Sequence, residues 1–490
     1  MIPYILLQIV LLPILAAPLV YLLGRSIGAK VGWISFTVLL YTLLLTFFVG
    51  ISPGVYEAYP WPPIGYFGLK ADGLSIPFFF TIILLSMVIA IYSIPYMEHR
   101  IGPNKGALGL YFTLYLLYAA GMVGTVLSTN LIQFYLFFEL MLIPSYFLIA
   151  EWGYGERGKI SFMYFMWTHV GAVALLIGIL SVGFLAGTFD LPHIAGSAIP
   201  EALRIWLVAA MCLGLFVKMA VFGLHVWLPH AHAEAPTPIS ALLSPAMIGI
   251  GGYAIVRIVL TIFPSTIKAI TLLLGIWALI TMLYGGAMAI AQDDIKRLLA
   301  YSSISQMGYI LFGITSYHYL GITGSMFHYI SHGTCKGILF MTAGAIILQT
   351  HGLRSISKMG GLARRMPLTA LCALIGFLGI LGAPPLNGFQ SEWMIFAGAF
   401  SGAIYSGMSE KLLVAVLAIF STVLTAGYAL WTVRRIFFGP LPHELAEVKE
   451  APLTVTMPML VLAVVTVLLG IYPEFVTGYL IPITKPMLGG

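Results

Sequence analysis

Apolar stretches of about 20 residues, the length a helix needs to cross a bilayer, recur along the whole chain. They lie near 4–23, 31–50, 74–94, 109–127, 130–150, 162–187, 203–228, 238–261, 268–290, 298–316, 320–349, 367–401, 411–435 and 453–480. The pattern predicts an all-α polytopic membrane protein of about fourteen transmembrane helices. The longest polar connections, around 350–366 and 436–452, are short, so residues 1–490 read as a single transmembrane domain. The chain opens directly into an apolar segment without a cleavage-site pattern, which predicts a retained first helix.

Two of the segments look broken. Segment 7 runs into a stretch holding Pro229, Pro236 and Pro238, and segment 12 is interrupted by Gly382, Pro384, Pro385 and Gly388. Proline removes a helical hydrogen bond and clashes with the preceding turn. Such backbone is tolerated at membrane depth only where protein or water covers it. Interrupted helices five segments apart point to two inverted five-helix repeats around an ion or substrate site. The expected repeats are 109–261 and 268–435, with flanking helices in 1–94 and 453–490. Two independent kinks without symmetry are the alternative.

Composition places the chain in lipid. Sixty per cent of its 490 residues are hydrophobic and 8% are charged, against about 25% charged in a soluble domain. The formal charge of +6 is modest, and its placement says more than its size. With both termini outside, the inner loops collect Arg25, Lys30, Arg100, Lys105, Arg157, Lys159, Lys296, Arg297, Arg354, Lys358, Arg364, Arg365, Arg434, Arg435 and Lys449. The outer side holds Lys70, Arg204, Lys268, Lys411 and Lys485. The positive-inside rule therefore predicts a multi-pass protein of the cell membrane with both termini on the outer side. No basic run exceeds two residues, which argues against nucleic-acid binding. Cys212, Cys335 and Cys372 are scattered through apolar segments, so no metal or iron–sulfur site is expected in this chain.

A charge at the bilayer centre costs about 2.5–3.5 kcal/mol on insertion scales, so each one needs a reason. Glu139 sits in the middle of segment 5 and Lys218 in the middle of segment 7, each alone among apolar neighbours. One reading is a static ion pair between two helices. The other is a pair whose strength changes as a proton passes: burial disfavours the charged ammonium and a nearby carboxylate favours it, so moving the carboxylate loads and unloads the lysine. In segment 11, His328, His332 and Lys336 are spaced i, i+4, i+8 and share one helical face. A metal pair of histidines, a polar packing seam and a hydrated proton relay are the three readings, and the relay is preferred. Glu392, just after the break in segment 12, supplies a carboxylate at the end of such a relay. His225, His230, His232 and Glu234 cluster at the break of segment 7, where the prolines deny regular metal-ligand spacing; His225 is placed near the path. His169 reads as a hydrogen-bonded packing residue, and Arg257, near the end of segment 8, as a snorkelling one.

The stretch from Lys218 through His225, Trp227 and Pro229 to Pro238 resembles the signature of the antiporter-like subunits of respiratory complex I and its relatives. Asp293-Asp294 through Lys296 to Gly308, the Met359-Gly-Gly-Leu362 turn and the glutamate of segment 5 match the same family. Within it, the chain is most similar to the M-type subunit of complex I and the D-type subunit of Mrp-like sodium/proton antiporters, with membrane-bound hydrogenase subunits also close. The resemblance implies a proton half-channel in each repeat. It places Glu139 and Lys218 on a modulating pair, His328 and His332 on the relay, and Glu392 on the terminal ionisable residue. One departure stands out: Gly249 falls where a central lysine is usual. Either protons pass by way of Lys336 and bound water, or the subunit couples differently or does not conduct.

The expected function is a proton-translocating, non-redox membrane subunit of a redox-driven ion pump. Iron–sulfur or other redox centres are then expected in partner subunits and no cofactor in this chain. The alternatives are a subunit of a non-redox Mrp-type sodium/proton antiporter, a single-chain solute symporter, and a degenerate subunit that only scaffolds its neighbours. The other membrane subunits of such an assembly and the lipid bilayer are the expected partners.

Overall fold

The computed structural model describes residues 2–194 and 199–488, so Met1 and the last two glycines of the expected flanking segments lie outside the described residues. Helices α1 (Ile5–Ile27) and α2 (Val31–Ile51) are joined by a single tight turn. A hairpin, β1 (Val55–Trp61) and β2 (Gly65–Ala71), follows. Then come α3 (Ser75–Ile101), α4 (Lys105–Leu127), α5 (Leu131–Trp152), α6 (Arg157–Ala186) and the one-turn α7 (Leu191–Ile194). Broken segment 7 comprises α8 (Glu201–Met219) and α9 (Trp227–Glu234). Segment 8, Thr237–Leu260, contains α10 (Thr237–Leu242) and α11 (Ile250–Ala254), with π-helical turns at Leu243–Met247 and Ile255–Leu260. The second half holds α12 (Pro264–Ile290), α13 (Ile295–Thr315), α14 (Tyr319–Gln349), the broken pair α15 (Pro367–Ile380) and α16 (Asn387–Ser406), α17 (Ser409–Phe437), α18 (Leu453–Ile471) and α19 (Glu474–Met487).

Among the described residues, eleven helical stretches are long and apolar enough to cross a membrane, α1 and α2 counting as one, against the fourteen segments expected. Segment 10 falls on α13, whose Ser302, Ser303, Ser305 and Gln306 dilute its apolar character, and segment 12 is cut into two short halves. The last expected segment, 453–480, is also shorter than foreseen: Tyr472 and Pro473 end α18 and a separate helix begins.

The purely helical expectation needs a correction at the hairpin. Its two strands pair antiparallel from Val55 opposite Ala71 to Trp61 opposite Gly65. Residues 55–61 alternate in burial, the period of a half-buried strand. The hairpin also serves the helices. The Glu57 carboxylate accepts from the backbone N–H groups of Leu6 and Leu7, both at 3.0 Å, two of the donors that the start of a helix leaves open.

The centre of the bundle is α14, buried continuously from Gly321 to Ile347 and packed against α3, α10, α13, α15, α16, α18 and α19. Both breaks are satisfied by side chains from neighbouring helices. Where α8 stops, Ala220 turns into the left-handed region at φ 55°. Three indoles donate to carbonyls in and beside this break: Trp227 to Val217 O, Trp277 to Phe222 O and Trp167 to Leu224 O, each at 2.9 Å. Pro229 sits in the first turn of α9, where its missing N–H costs nothing. In the second break Gly382 adopts φ 76°. Asn387 ties the restart of the helix to α14, its amide donating to Thr334 Oγ1 at 3.0 Å while its carbonyl accepts from Ser331 Oγ at 3.0 Å.

Arg257 does not merely snorkel. Its guanidinium forks onto both oxygens of Asp72, ahead of α3, and its Nε donates to Tyr253 Oη at 3.0 Å. Burial alone would raise the Asp72 carboxyl, but Arg257, Lys70 and the Ser75 N–H together hold it well below the usual carboxylate range. Losing one partner of such a pair strands the other charge, so Asp72→Ala is expected to cost about 3 kcal/mol of stability in thermal unfolding of the detergent-solubilised protein. Because the folded carboxyl titrates below its ordinary value, the contribution is complete at neutral pH and is lost only as pH falls through the depressed value. The wild-type advantage over Asp72→Ala should therefore be constant from about pH 5 to 8 and shrink in stronger acid.

Candidate functional site

Lys218 is the penultimate residue of α8, so the break leaves its ammonium at a helix C-terminus, the end that favours a cation. The side chain is buried, and its Nζ has no hydrogen-bond partner and lies 4.9 Å from the centre of the Phe138 ring. The expected direct pair with Glu139 is not formed: among the described residues no ion pair joins the two. The Glu139 carboxylate instead lies 3.5 Å from Nδ1 of His169 on α6, and its other oxygen is buried without a partner. His169 is therefore not the hydrogen-bonded packing residue expected; its ring stacks on Phe165 and its Nδ1 makes no hydrogen bond.

The α14 face is as anticipated from spacing. His328, His332 and Lys336 are all buried. His328 is held at both nitrogens, Nδ1 with Ser391 Oγ at 2.9 Å and Nε2 with Gln306 Oε1 at 2.7 Å. Lys336 donates to Leu299 O at 3.0 Å and contacts Ser302 Oγ. Both nitrogens of His332 are buried without a protein partner. Glu392, next to Ser391, has a carboxylate that lies over Gly382 in the break, with Oε1 unpartnered. A side chain at Gly382 would collide with that carboxylate, so the glycine is required for space as well as for its φ.

The cluster at the first break divides. His225 faces α12, with Nε2 at 3.1 Å from Tyr284 Oη and Nδ1 accepting from Gly223 N–H at 3.1 Å. His230 is exposed. His232, named in that cluster but given no place on the path from sequence, is fully buried, stacks on Phe340 and has neither ring nitrogen bonded.

Lys296 is a second omission. Counted from sequence among the inner-loop charges, it is in fact fully buried in the first turn of α13. Its Nζ donates to Ala235 O at 2.5 Å and to Ala233 O at 3.4 Å and lies over the Tyr154 ring. The signal was present in the Asp-Asp-Ile-Lys run. Asp294 caps α13 by accepting from Lys296 N–H at 2.8 Å and Arg297 N–H at 3.0 Å, which turns the lysine inward. Asp293 clamps the 355–357 loop through Ser355 Oγ at 2.5 Å and Ser357 N–H at 2.8 Å. Burial would raise the Asp293 carboxyl slightly, but these hydrogen bonds and Arg435 leave it lowered.

The departure at Gly249 has a structural cause. The Tyr329 ring of α14 occupies the space where a Gly249 side chain would be. That ring stacks on Phe78 with centroids 4.2 Å apart, and its hydroxyl donates to Ala246 O at 3.0 Å. Segment 8 thus offers an aromatic plug rather than a charge. Its polar link to the second half is Ser244, in the first π-helical turn, 2.8 Å from Ser303 of α13.

Ionisable side chains thus lie along the protein interior: Lys218 on α8, Lys296 on α13, the α14 trio and Glu392 on α16. No cluster of three or more histidine, cysteine or acidic residues suited to a metal is found among the described residues. Lys218 Nζ, both nitrogens of His332 and Glu392 Oε1 are buried without a hydrogen-bond partner.

A family model described as "NADH:quinone oxidoreductase/Mrp antiporter, TM" matches residues 128–425, and one described as "NADH-Ubiquinone oxidoreductase (complex I), chain 5 N-terminus" matches residues 61–105. F(420)H(2) dehydrogenase subunit M of Methanosarcina mazei is 32% identical over 441 residues, covering 87% of this chain and 85% of the relative. NADH-quinone oxidoreductase subunit M of Rhodobacter capsulatus is 32% identical over 500 residues, covering 97% of this chain and 94% of the relative. A chain of respiratory complex I from Thermus thermophilus superposes with a TM-score of 0.87 at 27% identity, covering 99% of this chain and 100% of that one.

The Tyr329 plug is directly testable. Gly249→Ala should lower stability by about 1–3 kcal/mol through overpacking, and replacing Tyr329 by leucine in the same chain should recover part of that loss in thermal unfolding.

Proposed function

The chain belongs to the NADH:quinone oxidoreductase/Mrp antiporter family of membrane subunits, and on that premise we propose that it is the proton-translocating, non-redox subunit of a redox-driven ion pump. The observation that carries this reading is the set of buried ionisable side chains Lys218, Lys336, His332, His328 and Glu392. Lone ionisable groups at membrane depth are expensive and are kept where ions move. Buried nitrogens without protein partners, as in His332, call for water, and water between successive turns of α14, about 6 Å apart, completes a relay.

In this reading Lys218 is the loading site. Its ammonium is unpaired and in apolar surroundings, and a carboxylate brought close pairs with it. The proton released passes to Lys336, which compensates for the missing charge at Gly249, then along His332 and His328 to the Glu392 carboxylate. Ser391 and Gln306 orient His328 for that transfer. The energy comes from redox chemistry in partner subunits, where iron–sulfur or other redox centres are placed; this chain contributes no cofactor. The two breaks define the half-channels, and the repeats run over 109–261 and 268–435. The protein sits in the cell membrane with both termini on the outer side, which the asymmetry of lysine and arginine supports.

The second reading, a subunit of a sodium/proton antiporter without a redox partner, is favoured by the breadth of the family model, whose description includes Mrp antiporters. Subunits that co-purify from gently solubilised native membranes separate the two: iron–sulfur subunits support the pump, small membrane subunits alone support the antiporter.

The mechanism is tested in inverted native vesicles, with NADH, reduced coenzyme F420 and reduced ferredoxin offered in turn as donors. Lys218→Ala should reduce proton uptake per electron by about tenfold or more, the scale of losing a proton-transfer group. Unchanged uptake in that variant would defeat the proposal, and uptake that requires a sodium gradient but no donor would favour the antiporter.

A further inference from the structure

The Glu139 carboxylate stands between two basic groups and touches one of them. On α6, His169 Nδ1 is 3.5 Å from it; on α8, Lys218 lies within its electrostatic reach but outside ion-pair distance. The two basic groups differ in surroundings. Lys218 Nζ is buried against Phe138, whereas the His169 side chain is 42% exposed. On the same face of α6 lie Phe162, Met166 and Val173, and beside Glu139 on α5 lie Leu136 and Ile143, all exposed apolar side chains. The imidazole thus opens onto an apolar flank, while the lysine it competes with stays inside.

We infer that His169 is the third member of the Lys218 switch. In one state it holds the Glu139 carboxylate and leaves the Lys218 ammonium unpaired; in the other it releases the carboxylate to Lys218. This rests on the reading of Lys218 as the loading site. The imidazole holds the carboxylate when both ring nitrogens carry protons and lets go when one proton leaves to the group covering the ring. In that transfer one imidazolium N–H bond breaks and one O–H bond forms on a carboxylate of the covering subunit; apart from this proton transfer only hydrogen bonds and ion pairs change. Charge on an ionisable ring at an apolar flank costs energy unless a polar group covers it. The state of a neighbouring membrane subunit on that flank thereby reaches Lys218.

Few other titratable groups intervene. Glu139 and Tyr135 face the site from α5 and Lys218 from α8. Helix α9 carries His230, His232 and Glu234, but His232 stacks on Phe340 and the Glu234 carboxylate lies against Gly155, before α6 begins. Helix α7, with His193, follows the C-terminus of α6, about 25 Å along that helix from His169.

The test uses the intact complex in the same inverted vesicles, with assembly checked by native gel electrophoresis. His169→Gln, which cannot charge, and His169→Lys, which stays charged, should each lower proton uptake per electron at least about fivefold, because one never captures Glu139 and the other never releases it. The pH dependence of wild-type uptake between about pH 5.5 and 8 should flatten in both. A packing role would instead be restored by one of the two substitutions and would leave the pH profile in place, and either result overturns the inference. Should His169→Gln fail to assemble, His169→Asn replaces it. Lys218→Ala runs alongside: if it pumps normally, the loading-site reading fails, whereas loss in Lys218→Ala with normal pumping and pH profile in the His169 variants removes only the His169 inference.

Discussion

A polar backbone group in hydrocarbon has no water to bond, and this protein interrupts two of its central helices all the same. The interruption in segment 7 is held by indole donors on three different elements, Trp167 on α6, Trp227 on α9 and Trp277 on α12. Each is large enough to bring apolar bulk and a single N–H to a carbonyl at the break, where Val217 O also accepts from the Ala220 N–H at 3.1 Å. With those carbonyls occupied, α8 can end inside the bundle, and Lys218 comes to rest at its C-terminus. The position of the charge is therefore a consequence of the packing that pays for the break.

The same principle runs through the second half in a more polar form. Asn387, Ser331 and Thr334 fasten the restart of segment 12 to α14, and Gly382 leaves room for the Glu392 carboxylate. Buried hydrogen bonds are strong in low dielectric, and unpaired polar atoms in the same surroundings are costly. His328 is fully bonded whereas His332 and His232 are bare. The contrast separates a group fixed in orientation from groups whose ring nitrogens stay buried and unpaired.

The aromatic plug at Gly249 changes how the halves communicate. With Tyr329, Phe78 and Tyr253 filling the centre of segment 8, the side-chain polar connection from segment 8 to the second half falls to Ser244 and Ser303, and beside it the Lys336 ammonium is held within the second half on Ser302 and Leu299. The irregular π-helical geometry around Ser244 suits that task, because such turns re-aim side chains and free backbone groups. Lys296 sits at the other end of α13, fixed against the carbonyls where α9 gives way to α10.

By itself the sequence determined the solvent, the succession of membrane helices, the two interruptions and the α14 face, because hydrophobic length, proline placement and i, i+4 spacing are local properties of the chain. It marked Glu139, Lys218 and Glu392 as exceptional, since a lone charge among apolar residues is visible without coordinates. Partners were decided only by tertiary structure. Glu139 meets His169 rather than Lys218, Arg257 meets Asp72 across 185 residues, and Lys296 turns inward although its neighbour Arg297 does not. These outcomes depend on how helices distant in sequence cross and which volumes they leave. Period and composition carry no record of that choice. The hairpin at 55–71 was missed for a related reason: its short alternation acquires a buried side only when α1, α4 and the start of α3 are packed beside it.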